Sequence, residues 1–470
     1  MITPSPFPLD PLLEALHRTV TSGQVATSGA GYDAGCVVWN GAVRHRPAVV
    51  LRCRTPADVQ AGVRAARDHG VPLSVRGGGH DWAGRALTDG GLTLDLSDMR
   101  QVRVDPDARV AWVSGGASSA EVAEAAHAYG LVAVTGTAGS VGMVGLSLGG
   151  GYGPLSGRFG LAVDNVLAVD VVLADGSLVT TDAEREPELF WAVRGGGGNF
   201  GVVTGMRIRL HAVAALLSGM IMYPAEQAGT VLAGLAEYLP ACTPDALTVQ
   251  SGFVTGPTGS PAVFVAPTWC GAARTGEHEV ESFARLGDPL LVHIGPVTLP
   301  DLMAGTDALF PPGRHIEIDT RTVPELSPAV RDVLQAGGGA ATSPLSAVAL
   351  HTLHGAAARI PVTDTAFGNR HPHLTVEVIA AWEPGDAAEP AHRAWAANLA
   401  DALTPDALPG GYPNLLGPRD TARIAHAYGP NTTRLLAAKR RYDPDALFHS
   451  IPLPADDPDS TASATRVCAG

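Results

Sequence analysis

The residues best suited to chemistry in this chain are glycines and the polar groups beside them. Three clusters, Arg76-Gly77-Gly78-Gly79-His80, Gly149-Gly150-Gly151-Tyr152-Gly153 and Gly195-Gly196-Gly197-Gly198-Asn199-Phe200-Gly201, fall within about 125 residues. Glycine lets successive backbone N–H groups converge on an anion with no Cβ in the way. One such cluster is ordinary in a tight turn. Three in one stretch point to a large phosphate-bearing cofactor laid along the backbone. His80 directly follows three glycines, so an unhindered imidazole there could reach a bound ligand.

Two familiar patterns are present in letters only. Gly196 to Gly201 matches GxGxxG, but the segment before it reads as helix and the segment after it as strand. The dinucleotide fingerprint needs the reverse order, which excludes a Rossmann fold. Gly145-Leu146-Ser147-Leu148-Gly149 matches the GxSxG nucleophile elbow, which needs a helix straight after the serine. Three glycines follow Ser147 within four residues, so no serine hydrolase is expected. His371-Pro372-His373 and His351/His354 lack acidic or cysteine ligands at a standard spacing, and no metal site is expected.

Composition narrows the field further. Lys and Arg total 32 against 46 Asp and Glu, a formal net charge of −14, so nucleic acid and anionic membrane are poor partners. Among the basic residues only Lys439 is a lysine, and Arg440 and Arg441 follow it. That removes a P-loop, and a Schiff-base enzyme would have to use a lysine in a basic helical run. The five cysteines, Cys36, Cys53, Cys242, Cys270 and Cys468, form no CxxC pair. They suit a reducing, cytoplasmic setting without a disulfide framework. Neither a signal peptide in residues 1–18 nor a bilayer-spanning apolar run is read. At 470 residues and 46% hydrophobic, the chain has room for two or three domains.

The elements that must position these groups are punctuated clearly in the first half. Thr55-Pro56-Ala57-Asp58 reads as a helix N-terminus, and Gly70 closes that helix. Val71 to Val75 reads as a strand. Leu92, Leu94 and Leu96 alternate with polar residues, the pattern of a half-buried strand. Arg109 to Ser114 is another strand. Ser118 and Glu121 form a capping box. Val163 to Ala174, Asp175-Gly176 and Ser177 to Thr181 read as a hairpin, Glu188 to Val193 as a short helix, and Val202 to Leu210 as a strand. Leu374 to Trp382 reads as a strand with Thr375, Glu377 and Ile379 on one face.

With these residues in view, Arg76-Gly77-Gly78-Gly79-His80-Asp81-Trp82-Ala83-Gly84 resembles the flavin-attachment loop of berberine-bridge-enzyme-like FAD-linked oxidases. These belong to the p-cresol methylhydroxylase and vanillyl-alcohol oxidase superfamily. Trp39-Asn40-Gly41, Leu148 to Gly153, Leu161 to Asn165, Leu189 to Val203, and Asn431, Arg434, Leu435, Lys439 and Tyr442-Asp443-Pro444 carry the resemblance on. It is strong over the first 210 residues and the last 45, and weak between them.

The resemblance implies an α+β fold. A two-part FAD-binding domain (1–212 and 420–470) would enclose an inserted substrate domain (213–419), an antiparallel sheet backed by helices. It implies FAD bonded covalently to His80. Arg76, Gly77, Gly78, Gly79, Asp81, Gly84, Thr137, Ala138, Val141, Gly142, Gly145, Gly150, Tyr152, Gly201, Val202, Asn431 and Tyr442 would hold it. Many relatives add a cysteinyl tether at the position of Ala138, so a single histidyl bond is expected here. A small β-branched residue at Val141 goes with oxidase behaviour, with dioxygen as acceptor. Glu377 matches the family acid-base position, and a carboxylate among apolar groups would suit proton abstraction. Relatives often have a catalytic tyrosine where this chain has Leu415, which leaves Tyr412 and Tyr152 as further candidates. The expected reaction is hydride transfer from a small organic substrate to flavin. Capture of a toxic small molecule, or electron transfer to another acceptor, are the competing readings. Neither the substrate nor the oligomeric state is legible.

Overall fold

The computed structural model describes residues 9–213, 215–239 and 243–455. Cys242 and Cys468 lie outside the described residues, as do the two ends of the expected flavin domain. The chain builds three sheets. The first has the order Gln24–Ala26, Val49–Arg52, Leu92–Asp95 and Leu73–Arg76, with parallel pairing on both sides of Leu92–Asp95. Its helix Pro56–Asp68 starts as the sequence predicts. Thr55 Oγ1 accepts from Asp58 N at 3.3 Å, and the Asp58 carboxylate accepts the N–H groups of Ser22, Arg54 and Thr55.

One expectation here is corrected. Leu92–Asp95 is buried on both faces, not half-buried. Leu92 and Leu94 face the apolar cluster that includes Leu12, Val59 and Val63. The polar residues face inward too, because each has a partner. Thr93 bonds Ser74 at 2.9 Å, and Asp95 accepts from Arg76 at 2.7 Å. Alternation reports burial on one face only where the other face meets water, and a central parallel strand has no such face.

The second sheet is antiparallel, in the order Val102–Asp105, Val110–Ser114, Val202–Ala212, Val166–Val172 and Leu178–Thr181, with Leu131–Ala133 also paired to Val202–Ala212. The expected hairpin forms, with Val172 opposite Leu178, although residues 162–165 are a 3₁₀ turn rather than strand. The helix Pro187–Gly196 precedes the glycine turn and the strand Val202–Ala212 follows it, which is the arrangement that excludes the Rossmann fingerprint. The third sheet has seven antiparallel strands from residues 216–382, with His373–Trp382 between Ala347–Leu353 and His315–Val323. Leu374, Val376, Val378, Ala380 and Trp382 pack against the helices Ala228–Tyr238, Pro328–Gly338 and Glu389–Ala402. Thr375, Glu377 and Ile379 therefore take the opposite face.

The closing helix Thr432–Tyr442 returns to the glycine-rich part. Arg434 lies over the Trp191 ring at 3.9 Å and pairs with Glu188 at 2.8 Å. The single lysine is structural. Lys439 Nζ donates to Asn199 O at 2.9 Å and to Phe448 O at 2.7 Å, and it pairs with Asp443. Among the described residues no helix is long and apolar enough to cross a membrane. Nor do three His, Cys, Asp or Glu side chains come together as a metal cluster.

Candidate active site

The loop after the strand Leu73–Arg76 carries His80. It is pinned from several sides. Trp39 N donates to Gly79 O at 2.9 Å, and the Trp39 ring stacks on the His80 imidazole with centroids 4.3 Å apart. Asn40 ties the loop to the seven-stranded sheet. Its amide nitrogen donates to Trp82 O and Ile316 O at 2.7 and 2.8 Å, and its oxygen accepts from Ile316 N at 3.0 Å. His80 Nε2 lies 3.0 Å from Ser140 Oγ, and Ser140 in turn bonds Asp307 at 2.7 Å. Burial pushes the His80 imidazole down to about 4, against the pull of Asp307. It is neutral at physiological pH, with one ring nitrogen carrying a lone pair.

The glycines explain why two loops can meet here. A Cβ on Gly78 would strike the backbone of Gly142, and a Cβ on Gly142 would lie 2.6 Å from Gly78 N. The loops 77–79 and 141–142 therefore cross backbone to backbone. Among the described residues, the N–H groups of Gly77, Gly78 and Gly79 have no hydrogen-bond partner. Three consecutive unpartnered donors beside a neutral histidine fit a phosphate-bearing cofactor such as FAD.

Other residues expected to hold the cofactor spend their side chains on the protein. Arg76 donates to Asp95 and Val37 O. Asp81 pairs with Arg85 at 2.7 Å. Asn431 donates to Val362 O and Thr365 O. Tyr442 bonds Glu186 at 3.0 Å near the surface. Gly201 is glycine because a Cβ would lie 2.6 Å from Val172 O, and Val202 is in the apolar core. Ser147, the centre of the GxSxG match, sits inside the helix Met143–Leu148 and donates to Met143 O at 2.8 Å, so it is no nucleophile elbow.

The second glycine cluster, Gly149 to Gly153, meets the seven-stranded sheet through aromatic rings. Tyr412 OH accepts from Gly151 N at 2.9 Å and from Asn414 Nδ2 at 2.8 Å. Tyr152 packs edge-on to Tyr412, with centroids 4.8 Å apart. His373 Nδ1 lies 2.8 Å from His371 O, so it donates there and leaves Nε2 to accept from Tyr152 OH at 2.9 Å. Burial pushes His373 down to about 3 and raises both phenols, Tyr412 to about 12. Both tyrosines hold their protons at neutral pH. Leu415, which replaces the family tyrosine, has no hydroxyl to offer; its carbonyl accepts from Trp82 Nε1 at 3.1 Å and its N–H donates to Tyr412 O at 2.9 Å.

Glu377 lies in cross-strand register with Thr320 and Ala349, and the neighbouring row aligns Thr322, Thr375, His351 and Gln250. The expectation of a carboxylate among apolar groups is corrected. His351 Nε2 stands 3.5 Å from Glu377 Oε1. Burial opposes protonation of His351, but the adjacent Glu377 outweighs it and raises the imidazole above its ordinary value. Spacing along the chain raises His351 only as a metal ligand without acidic or cysteine partners, and marks neither Ser140 nor Asp307. Their partners are distant in the chain, and only the fold brings them together.

The FAD binding domain family matches residues 47–182. The FAD-linked oxidoreductase aurO of Gibberella zeae is 31% identical over 441 residues, covering 90% of this chain and 84% of that protein. The crystal structure of 6-hydroxy-D-nicotine oxidase from Arthrobacter nicotinovorans superimposes with a TM-score of 0.85 at 28% identity, over 93% of this chain and 99% of that one. A berberine bridge enzyme variant shares the fold, with a TM-score of 0.84 at 21% identity over 95% of this chain and all of that one.

Proposed function

This chain belongs to the berberine-bridge-enzyme-like FAD-linked oxidoreductases, and from that premise we propose an oxidase, tethered to its flavin by one histidine. It would act on a small organic substrate of specialised metabolism and pass the electrons to dioxygen in the cytoplasm. FAD, when bound, supplies the hydride-accepting N5. The observation that carries this reading is the neutral His80 beside three free backbone donors.

The chain's own residues divide the remaining work. The N–H groups of Gly77, Gly78 and Gly79 bind the anionic part of the cofactor. Ala138 presents no thiol. Among the described cysteines, Cys53 is in the core, Cys270 bonds Ala246 O at 3.4 Å, and the half-buried Cys36 shares a side-chain hydrogen bond with Tyr32, which supports a tether through His80 alone. Val141 would leave the flavin face open to dioxygen. We divide the chain into a flavin part, 1–212 and 420–470, and a substrate part, 213–419; Asn40, Ser140 and Tyr152 of the first bond Ile316, Asp307 and His373 of the second, which supports a site between them.

Glu377 is the base this reading favours. A general base must be unprotonated at the working pH. Tyr152 and Tyr412 keep their protons, whereas the Glu377–His351 pair can take one from a substrate hydroxyl or amine. Tyr152 and Tyr412 then orient the substrate.

The test uses no substrate. The holoprotein is reduced with dithionite without oxygen, and air is then admitted. Prompt return of the yellow colour with one hydrogen peroxide per flavin is expected, and Val141→Leu is expected to slow it. Colour that stays bleached in air, but returns with an artificial electron acceptor, contradicts the oxidase assignment.

A further inference from the structure

The helix Leu299–Leu309 belongs to the part of the chain that builds the seven-stranded sheet, yet its Asp307 reaches back to the loop facing His80. Ser140 Oγ is 2.7 Å from Asp307 Oδ1, and Ser140 N donates to the same carboxylate at 3.1 and 3.2 Å. A carboxylate only accepts, so the one hydroxyl proton of Ser140 goes to Asp307. Ser140 Oγ then has only lone pairs to offer His80 Nε2, 3.0 Å away. His80 therefore carries its proton on Nε2 and its lone pair on Nδ1. The Trp39 ring, stacked 4.3 Å from the imidazole, holds the plane in which this distinction is kept.

We propose that Asp307 and Ser140 form a relay that fixes His80 in this tautomer. The relay leaves Nδ1 as the tethering nitrogen and gives the Nε2 proton a way out. This rests on the histidyl tether proposed above. In the balanced step, a bond forms between His80 Nδ1 and the flavin 8α carbon, and one C–H bond of that methyl group breaks. His80 gives its Nε2 proton to Ser140 as Ser140 gives its own to Asp307, so the tethered imidazole ends neutral. The methyl hydrogen leaves as a second proton. The two electrons released reduce the flavin, and dioxygen reoxidises it to give hydrogen peroxide. Ser140 and Asp307 are positioning residues. Without the carboxylate, the serine hydroxyl is free to donate to Nε2 and so select the tautomer with the wrong nitrogen protonated.

The experiment follows tether formation, not turnover. Full-length protein made without flavin is mixed with FAD, quenched in acid at intervals, and the flavin retained in the precipitate is measured. The histidyl flavin is then isolated and its bonded nitrogen identified by NMR. The parent protein is expected to bond through Nδ1. Ser140→Ala and Asp307→Asn are expected to bind FAD but tether it roughly a hundredfold more slowly, and Ser140→Thr, which keeps the hydroxyl, to stay near the parent rate. A bond through Nε2 in the parent overturns the relay alone, and that measurement needs no variant to fold. Ser140→Ala tethering at the parent rate through the same nitrogen also overturns it. A parent protein with no acid-stable flavin instead removes the tether itself.

Discussion

At the scale of single residues, the site depends on which groups keep protons and where a methyl group has no room. His351 is raised by Glu377 against the pull of burial. Glu377→Gln leaves burial unopposed, so the His351 titration followed by NMR should move to lower pH, below an ordinary imidazole. In the parent, this pair stabilises the fold fully below the unfolded imidazole value, and the contribution is lost as pH rises through the raised one. A Glu377→Gln protein with an unmoved His351 titration would separate the two groups. Gly78→Ala forces a Cβ onto the Gly142 backbone, at a cost of about 1–3 kcal/mol in denaturant unfolding. Gly145→Ala meets no atom within 4 Å and should leave the flavin-free protein within about 0.5 kcal/mol of the parent. Any loss of flavin in that variant then reports the cofactor, not the fold. The glycines and His80 were legible in the sequence because adjacency in the chain is itself the signal. Ser140 and Asp307 lie 167 residues apart, and nothing in either neighbourhood marks the pairing.

At the scale of elements, local rules worked where local forces decide. Thr55 with Asp58 and Ser118 with Glu121 both form the capping boxes their spacing predicts. The Asp58 carboxylate is opposed by burial, yet the N–H groups of Arg54 and Ser22 hold it below the ordinary range. Asp58→Asn should cost about 1–2 kcal/mol at neutral pH. The gap from the parent should close as pH falls through the lowered carboxyl value, because the parent then loses the same charge. Equal stability of the two proteins at neutral pH would remove the cap from the account. The strand Leu92–Asp95 departs from the half-buried pattern because its polar residues find partners inside the protein, and those partners come from a neighbouring strand. The strand His373–Trp382 follows the alternation of its sequence, since one face is covered by helices and the other carries Thr375 and Glu377.

At the scale of the whole molecule, the sheets are held together by a few buried polar bridges. Asp164 and Arg370 pair through two contacts of 2.7 and 2.9 Å, with side chains 5% and 4% exposed. They join the segment after the Tyr152 cluster to the loop that leads into the strand bearing Glu377. Arg370→Ala leaves Asp164 buried and unpaired, which should destabilise the protein by about 3–5 kcal/mol. Replacing both partners with apolar residues should recover part of that in the same unfolding measurement. Resemblance of the glycine loops indicated the overall architecture, but not these bridges, which depend on pairs of residues from distant segments. The central claim is tested most directly by precipitating purified protein with acid and asking whether flavin stays in the pellet, beside a His80→Ala control. A yellow wild-type pellet and a colourless mutant pellet are predicted. Flavin released from the wild type, or retained by His80→Ala, would contradict the account.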